Sequence, residues 1–165
     1  MPQGNPKILS PDEMLQERER LRAQNLALSM TNGCFDILHR GHVEYLDFAR
    51  RQADRLCVAL NSDASVQRNK GPLRPVNSQD DRAEVLAALA CVDYVVLFDD
   101  DEPRELVRLL LPDVLVKGKD WAHYVSGGEI VQSHGGKVVL AELVEGRSTT
   151  GVIEKILQAY GGKSS

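Results

Sequence analysis

Apolar positions along the chain fall into five short runs, separated by stretches whose apolar residues return at helical spacing. The runs are 26–30 (Leu26, Ala27, Leu28, Met30), 56–60, 92–98, 114–116 and 138–140, and each reads as a buried parallel strand. Between them the period lengthens. Val43 and Leu46 predict a helix over 43–51; Ala83, Leu86, Ala87 and Ala90 one over 80–90, capped by Ser78; 103–111 follows with Pro103 in its first turn. A short helix over 129–134 and a last one over 150–160, with Val152, Ile153, Ile156 and Leu157 apolar, complete the series. Upstream, residues 1–9 with Pro2, Gly4 and Pro6 read as a loose arm. Ser10-Pro11-Asp12-Glu13 then opens a helix to about Gln24, with a capping box and a mostly charged face (Glu17, Arg18, Glu19, Arg20, Arg22). Residues 61–78, with Gly71, Pro72, Pro75 and Asn77, read as loop, and 161–165 as a frayed tail.

Strands alternating with helices define an α/β protein: a Rossmann-like, doubly wound parallel sheet of five strands with helices on both faces. The length of 165 residues fits one domain, 1–165, with an arm and helix over 1–25 and a core over 26–160. In such sheets ligands bind beyond the carboxyl ends of the strands. The segments to inspect are therefore 31–42, 61–74, 99–101, 117–120 and 142–150.

Composition narrows the classes. Twenty Lys and Arg against 24 Asp and Glu give a net charge of −4, which argues against nucleic acid as partner. No run approaches the roughly 18 consecutive apolar residues of a membrane span. Residues 1–10 lack the apolar stretch of a secretory signal. Three widely spaced cysteines, Cys34, Cys57 and Cys91, with no C-x-x-C, point to a reducing, cytoplasmic setting.

The post-strand segments hold the unusual chemistry. Thr31-Asn32-Gly33-Cys34-Phe35-Asp36-Ile37-Leu38-His39-Arg40-Gly41-His42 runs from a strand through a glycine turn into a helix start, an anion site by construction. His39 and His42, three apart, reach one ligand, and Gly41 lets a phosphate approach the backbone. A metal cluster of Asp36, His39 and His42 is the weaker alternative, and no metal ligand is assigned. Cys34 near a helix start has two readings, a low-pKa nucleophile and a small residue in a tight turn. The basic stretch from Arg68 to Arg74 reads either as a solvated loop or as a lid carrying Lys70 onto phosphates. Arg82, poorly placed for the dipole of its own helix, suggests an anion nearby. Lys117-Gly118-Lys119-Asp120 suits phosphate, while Trp121 reads as core. Gly146-Arg147-Ser148-Thr149-Thr150 offers more hydroxyls than one helix cap needs and looks like a second phosphate site at a helix start. No Walker or dinucleotide glycine motif is present.

The first of these segments resembles the T-x-G-x-F-D-x-x-H-x-G-H motif of the cytidylyltransferase-like nucleotidyltransferases, and Ser148-Thr149-Thr150 resembles the end of their R-T-x-G-I-S-T-T motif. Asn61-Ser62-Asp63, Arg74-Pro75-Val76-Asn77 and Val116-Lys117-Gly118 extend the similarity to the adenylyltransferase domains of the ADP-heptose synthases, which many bacteria fuse to a sugar kinase and which here would stand alone. The resemblance implies transfer of AMP from ATP, with Mg²⁺, to D-glycero-β-D-manno-heptose 1-phosphate, giving ADP-heptose for the lipopolysaccharide core and pyrophosphate. It implies His39, His42 and Lys70 as catalytic residues. Asn32, Gly33, Cys34, Phe35, Asp36, Gly41, Lys117, Gly118, Ser148, Thr149 and Thr150 would bind nucleotide, and Arg82, Lys119, Asp120 and Arg147 the acceptor. A homodimer is a further implication. The second motif departs from the family: Leu143 stands where arginine is usual, and Arg147 where isoleucine is. Two alternatives remain, a nucleotidyltransferase for CTP or another phosphorylated acceptor, and a nucleotide-binding module without turnover.

Overall fold

Six strands, all parallel, form the sheet of the computed structural model, which describes residues 4–162; the ends of the expected loose arm and frayed tail, 1–3 and 163–165, lie outside the described residues. The strands are β1 (Ile8–Leu9), β2 (Leu28–Gly33), β3 (Arg55–Asn61), β4 (Tyr94–Phe98), β5 (Val114–Gly118) and β6 (Lys137–Ala141), in the order β1-β4-β3-β2-β5-β6. Five were expected. The sixth is β1, inside what read as arm: Ile8 pairs with Val95 and Leu9 with Val96. Two residues are too few to show a period, so only the partner strand makes them a strand. The helices are α1 (Pro11–Ala23), α2 (Arg40–Arg50), α3 (Asp63–Lys70), α4 (Gln79–Ala87), α5 (Arg104–Leu110), α6 (Gly128–Ser133) and α7 (Thr149–Tyr160), with a 3₁₀ turn at Lys119–Trp121.

The central strands are buried on both faces. Along β3, Leu56, Val58 and Leu60 enter one core layer with Leu46 and Ala49 of α2 and Leu86 of α4. Cys57 and Ala59 enter the other, with Met14 of α1, Leu106 and Leu110 of α5 and Val131 of α6. This two-residue alternation into two apolar layers is why these strands read as continuous apolar runs. The α1 capping box forms as expected: the Ser10 hydroxyl accepts from the Glu13 N–H and the Glu13 carboxylate from the Ser10 N–H. Its charged face is not uniformly solvated, however. Arg18 is buried, pairs with Asp113 at 3.0 Å and donates to the carbonyls of Leu110 and Leu111, closing the carboxyl end of α5.

Residues 63–70 are helix rather than loop. Ser62 caps α3, its hydroxyl accepting from the Ser65 N–H, and Gly71 at φ 98° ends it. Only Ser65 and Val66 are buried, so the segment carries no apolar period to announce a helix. At the other end of the chain, α7 buries none of its residues, and Ile156, Leu157 and Tyr160 are exposed. Among the described residues no helix is long and apolar enough to cross a membrane.

Strand order reverses direction between β2 and β5. The chain winds from β2 through β3 and β4 to one side, then returns to β5 and β6 on the other. That switch point opens a crevice at the carboxyl ends of the two strands.

Candidate active site

A cavity of about 720 Å³ occupies this crevice. Its floor is the carboxyl ends of β2, β3 and β5, with Asn32, Gly33, Asn61, Lys117 and Gly118. One wall is the amino ends of α2 and α7; the other comes from the start of α5 and the segment leading into α6.

The turn after β2 is bound down from within. Phe35 sits at φ 44°, a left-handed conformation uncommon for a bulky residue, which folds its ring beneath Gly33 and edge-on to His42, with centroids 5.4 Å apart. A Cβ on Gly33 would lie 2.9 Å from that ring. Asp36 turns inward. Its carboxylate accepts from Arg74 Nε (2.8 Å) and from the backbone N–H groups of Val76 (2.8 Å) and Asn77 (2.9 Å). Burial favours the neutral acid, but these donors outweigh it and hold the pKa below the usual carboxylate value. With its oxygens engaged, Asp36 ties the 74–77 segment to the turn, and among the described residues no group of three or more His, Cys, Asp or Glu is placed to hold a metal. The stretch around Lys70 is correspondingly no free loop. Lys70 ends α3, Arg68 is held by Asp101 at 2.7 Å, and Arg74 is bound to Asp36; Lys70 itself faces the cavity.

His39 is the residue before α2 and His42 lies in its first turn. The two rings stack with centroids 3.8 Å apart. Burial and the neighbouring His39 pull His42 down to about 4, and burial followed by the charge of Arg147 lowers His39. Both imidazoles are therefore neutral near pH 7. His42 Nδ1 accepts the His39 backbone N–H at 3.4 Å, which places its proton on Nε2, free to donate. Among the described residues, His39 Nδ1 and Asn32 Oδ1 are buried without a hydrogen-bond partner. Gly41 is needed for close packing rather than for open space above the backbone: a Cβ there would meet the His39 ring at 3.0 Å and the Arg147 stem at 3.2 Å.

The start of α7 closes over the same wall. The three hydroxyls divide their roles. Ser148 caps the helix, accepting the Gly151 N–H at 3.0 Å; Thr149 donates to the Ile37 carbonyl at 3.3 Å, tying α7 to the turn before α2; Thr150 is exposed and lines the cavity. Two helix amino ends thus converge, with their unbonded N–H groups and positive dipole ends side by side. Gly146, at φ 69°, turns the chain so that Arg147 lines the cavity beside His39.

Two residues expected at the acceptor are elsewhere. Arg82 is fully buried, donating to the carbonyls of Asn77, Cys34 and Asn61 and pairing with Asp63 at 2.8 Å; it braces the floor from beneath. Lys119 is exposed, paired with Glu142, and does not line the cavity, whereas Asp120 does. Cys34 lines it, but burial outweighs the nearby Lys70, Arg82 and Arg74 and raises its pKa, so the thiol stays protonated and the small-residue reading stands. Trp121 is not core: it is 48% exposed at the cavity, with Lys117 Nζ 5.2 Å from its ring centroid. Burial lowers the pKa of Lys117 and outweighs the opposing pull of Asp120, Cys34 and Glu102. Sequence reasoning missed Tyr45, whose hydroxyl lies 2.6 Å from that of Thr31, although its position one turn beyond His42 marked it. It also missed Glu102, Tyr124 and Ser126 on the opposite wall, which no motif signals.

A doubly wound sheet with a phosphate-type site at its switch point, built on two helix starts, defines a nucleotide-binding α/β enzyme. The model of the cytidylyltransferase-like family matches residues 30–155, and the chain belongs to that family of nucleotidyltransferases. It is 55% identical over 157 residues to the bifunctional protein HldE of Gluconacetobacter diazotrophicus, covering 94% of this chain and 32% of that protein. It is 51% identical over 160 residues to the bifunctional protein HldE of Geobacter sulfurreducens, covering 96% and 33%. The chain thus spans about a third of the length of these relatives. Among solved structures, the lipopolysaccharide core biosynthesis protein of Thermoplasma volcanium superposes with a TM-score of 0.59 at 26% identity, covering 72% of this chain and 97% of that one.

Proposed function

We propose that this chain transfers AMP from ATP to D-glycero-β-D-manno-heptose 1-phosphate, releasing pyrophosphate and forming ADP-heptose for the lipopolysaccharide core. The observation that carries the reading is the convergence of the α2 and α7 amino ends, with two neutral histidines and Arg147, on one wall of the crevice. The bifunctional HldE relatives and the lipopolysaccharide core biosynthesis protein support the pathway.

An acceptor phosphate oxygen attacks the α-phosphorus of ATP in line, and the bond to pyrophosphate breaks. The acceptor phosphate is already anionic, so no general base is required. Charge grows on the α-phosphate and the leaving pyrophosphate, where His39 and His42 donate N–H groups without bringing a counter-charge that must be reorganised. Backbone N–H groups at the start of α7 and the guanidinium of Arg147 hold the outer phosphates. Lys70 and Lys117 complete the cationic surround. Mg²⁺ enters as part of the ATP substrate. It would need one or two carboxylates besides phosphate and water, and Asp101 and Asp120 line the cavity. A cytoplasmic setting and pairing as a homodimer belong to the same proposal.

Pyrophosphate release with ATP, CTP, GTP and UTP against a panel of sugar 1-phosphates tests the reading. Release is expected with ATP and the heptose phosphate. Preference for CTP, or for a non-sugar phosphate, points to another branch of the family, and no release with any pair points to a binding module.

A further inference from the structure

The wall facing the histidines has a different chemistry. Glu102, at the start of α5, accepts at one oxygen, Oε2, from both the Tyr124 hydroxyl (2.9 Å) and the Ser126 hydroxyl (2.9 Å). Ser126 is 5% exposed, so one of the two braces is firmly seated. Two donors on one oxygen fix the carboxylate plane and leave Oε1 without a protein donor among the described residues, on a group that lines the cavity. Tyr124 lines the cavity too and is 46% exposed. A fixed carboxylate is a poor neighbour for phosphate, since like charges repel. It is a good acceptor for hydroxyl groups, and an exposed aromatic ring suits the C–H face of a sugar.

Position separates the two chemistries. The histidines open α2, which packs on one face of the sheet, whereas Glu102 leads into α5, which packs on the other with α6. Lys117 rises from the floor between the walls, within electrostatic reach of both Asp120 and Glu102. A phosphate held near Lys117 leaves room for one sugar ring reaching towards Glu102.

Resting on the reading of the reaction above, we infer that Glu102, braced by Tyr124 and Ser126, forms the hydroxyl-reading subsite for the sugar of the acceptor and sets its specificity. Lys117 holds the phosphate end of the same molecule, and the wall of α2 and α7 is left to ATP.

Calorimetric binding and steady-state kinetics of the whole chain and of Glu102→Ala test this. The variant is expected to raise the KM and Kd for the sugar 1-phosphate about 10- to 100-fold, the scale of one hydrogen bond to a charged group, with the Kd for ATP and the Tm little changed. Acceptors lacking single hydroxyl groups locate the contact: one deoxy analogue should bind wild type more weakly yet bind Glu102→Ala as the parent sugar does. An unchanged acceptor Kd in Glu102→Ala overturns the subsite. So does an equal loss of ATP and acceptor binding, which marks a brace, or a weakened Mg²⁺ dependence with acceptor Kd intact, which marks a metal ligand. Wild type inert in turnover overturns the reading of the reaction instead, and the binding measurements still decide the subsite.

Discussion

His42 is a neutral N–H donor near pH 7 because Phe35 and His39 pack against its ring and shield it from water. The consequence for pH has a definite sign. Its pKa falls from 6.5 to about 4 on folding, so the unfolded chain takes up this proton first on acidification. Its contribution to stability is complete above about 6.5 and is lost as pH falls towards 4. Turnover should need both rings neutral, so kcat is expected to be level from pH 8 to about 6.5, with its acid limb displaced below the ordinary imidazole value. Loss of kcat as pH rises through about 6.5, absent in the His42 variant, would mean an imidazolium does the work. His39→Ala and His42→Ala should each lower kcat about 100-fold or more, the scale for losing one oxyanion donor, with unchanged circular dichroism. Cys34→Ser should keep most of the activity, because a protonated, turn-filling thiol offers no nucleophile. The histidine pair was legible from its spacing; the packing of Gly41 against the His39 ring and the Arg147 stem was not, because only the fold brings α7 against α2. The destination of Arg82 was not, since a buried arginine with four protein contacts and a phosphate-binding arginine look alike in sequence. Arg82→Met should therefore cost about 3 kcal/mol or more by leaving Asp63 and buried carbonyls unpaired. In a chain of this size that is a drop of about 6–12 °C in Tm, readable by calorimetry.

At the scale of elements, what the sequence announces depends on what each element buries. Strands β2 to β6 read clearly because both sheet faces are apolar, and α1 and α4 because Ser10 and Ser78 cap them. The two-residue β1 and the mostly polar α3 escaped notice, having no period of their own. Missing α3 changed the expectation for Lys70, from a mobile loop to a helix end held by Arg68 and, beyond the turn, by Arg74. The turn into α7 makes a sharper test. Gly146 at φ 69° aims Arg147, and Ser148 caps the helix. Gly146→Ala strains that turn by about 1 kcal/mol and should weaken ATP binding as Arg147→Ala does, whereas Arg147→Lys should be only partly active, lacking the bidentate fork. Removing Arg147 should also let the His39 titration move up towards its ordinary value, followed by NMR of the ring protons. If Arg147→Ala leaves both ATP binding and the His39 titration unchanged, the guanidinium faces solvent.

For the whole molecule, the two-walled crevice follows from winding. Order reversal between β2 and β5 opens it, α2 and α7 bring donors and positive charge to one side, and α5 with the approach to α6 brings a braced carboxylate and an aromatic ring to the other. The phosphate wall was legible because helix starts and histidines carry sequence signatures. The facing wall was not, because Glu102, Tyr124 and Ser126 meet only through the packing of α5 against α6. The chemistry assigned to the crevice is a single displacement at the α-phosphorus of ATP by a sugar phosphate, and an isotope label follows it directly. D-glycero-β-D-manno-heptose 1-phosphate carrying ¹⁸O in its phosphate is incubated with ATP, Mg²⁺ and the protein, and the products are weighed by mass spectrometry. All of the label is expected in ADP-heptose, with unlabelled pyrophosphate released in equal amount. Label in the released pyrophosphate or in free phosphate, or no ADP-heptose at all, would contradict it.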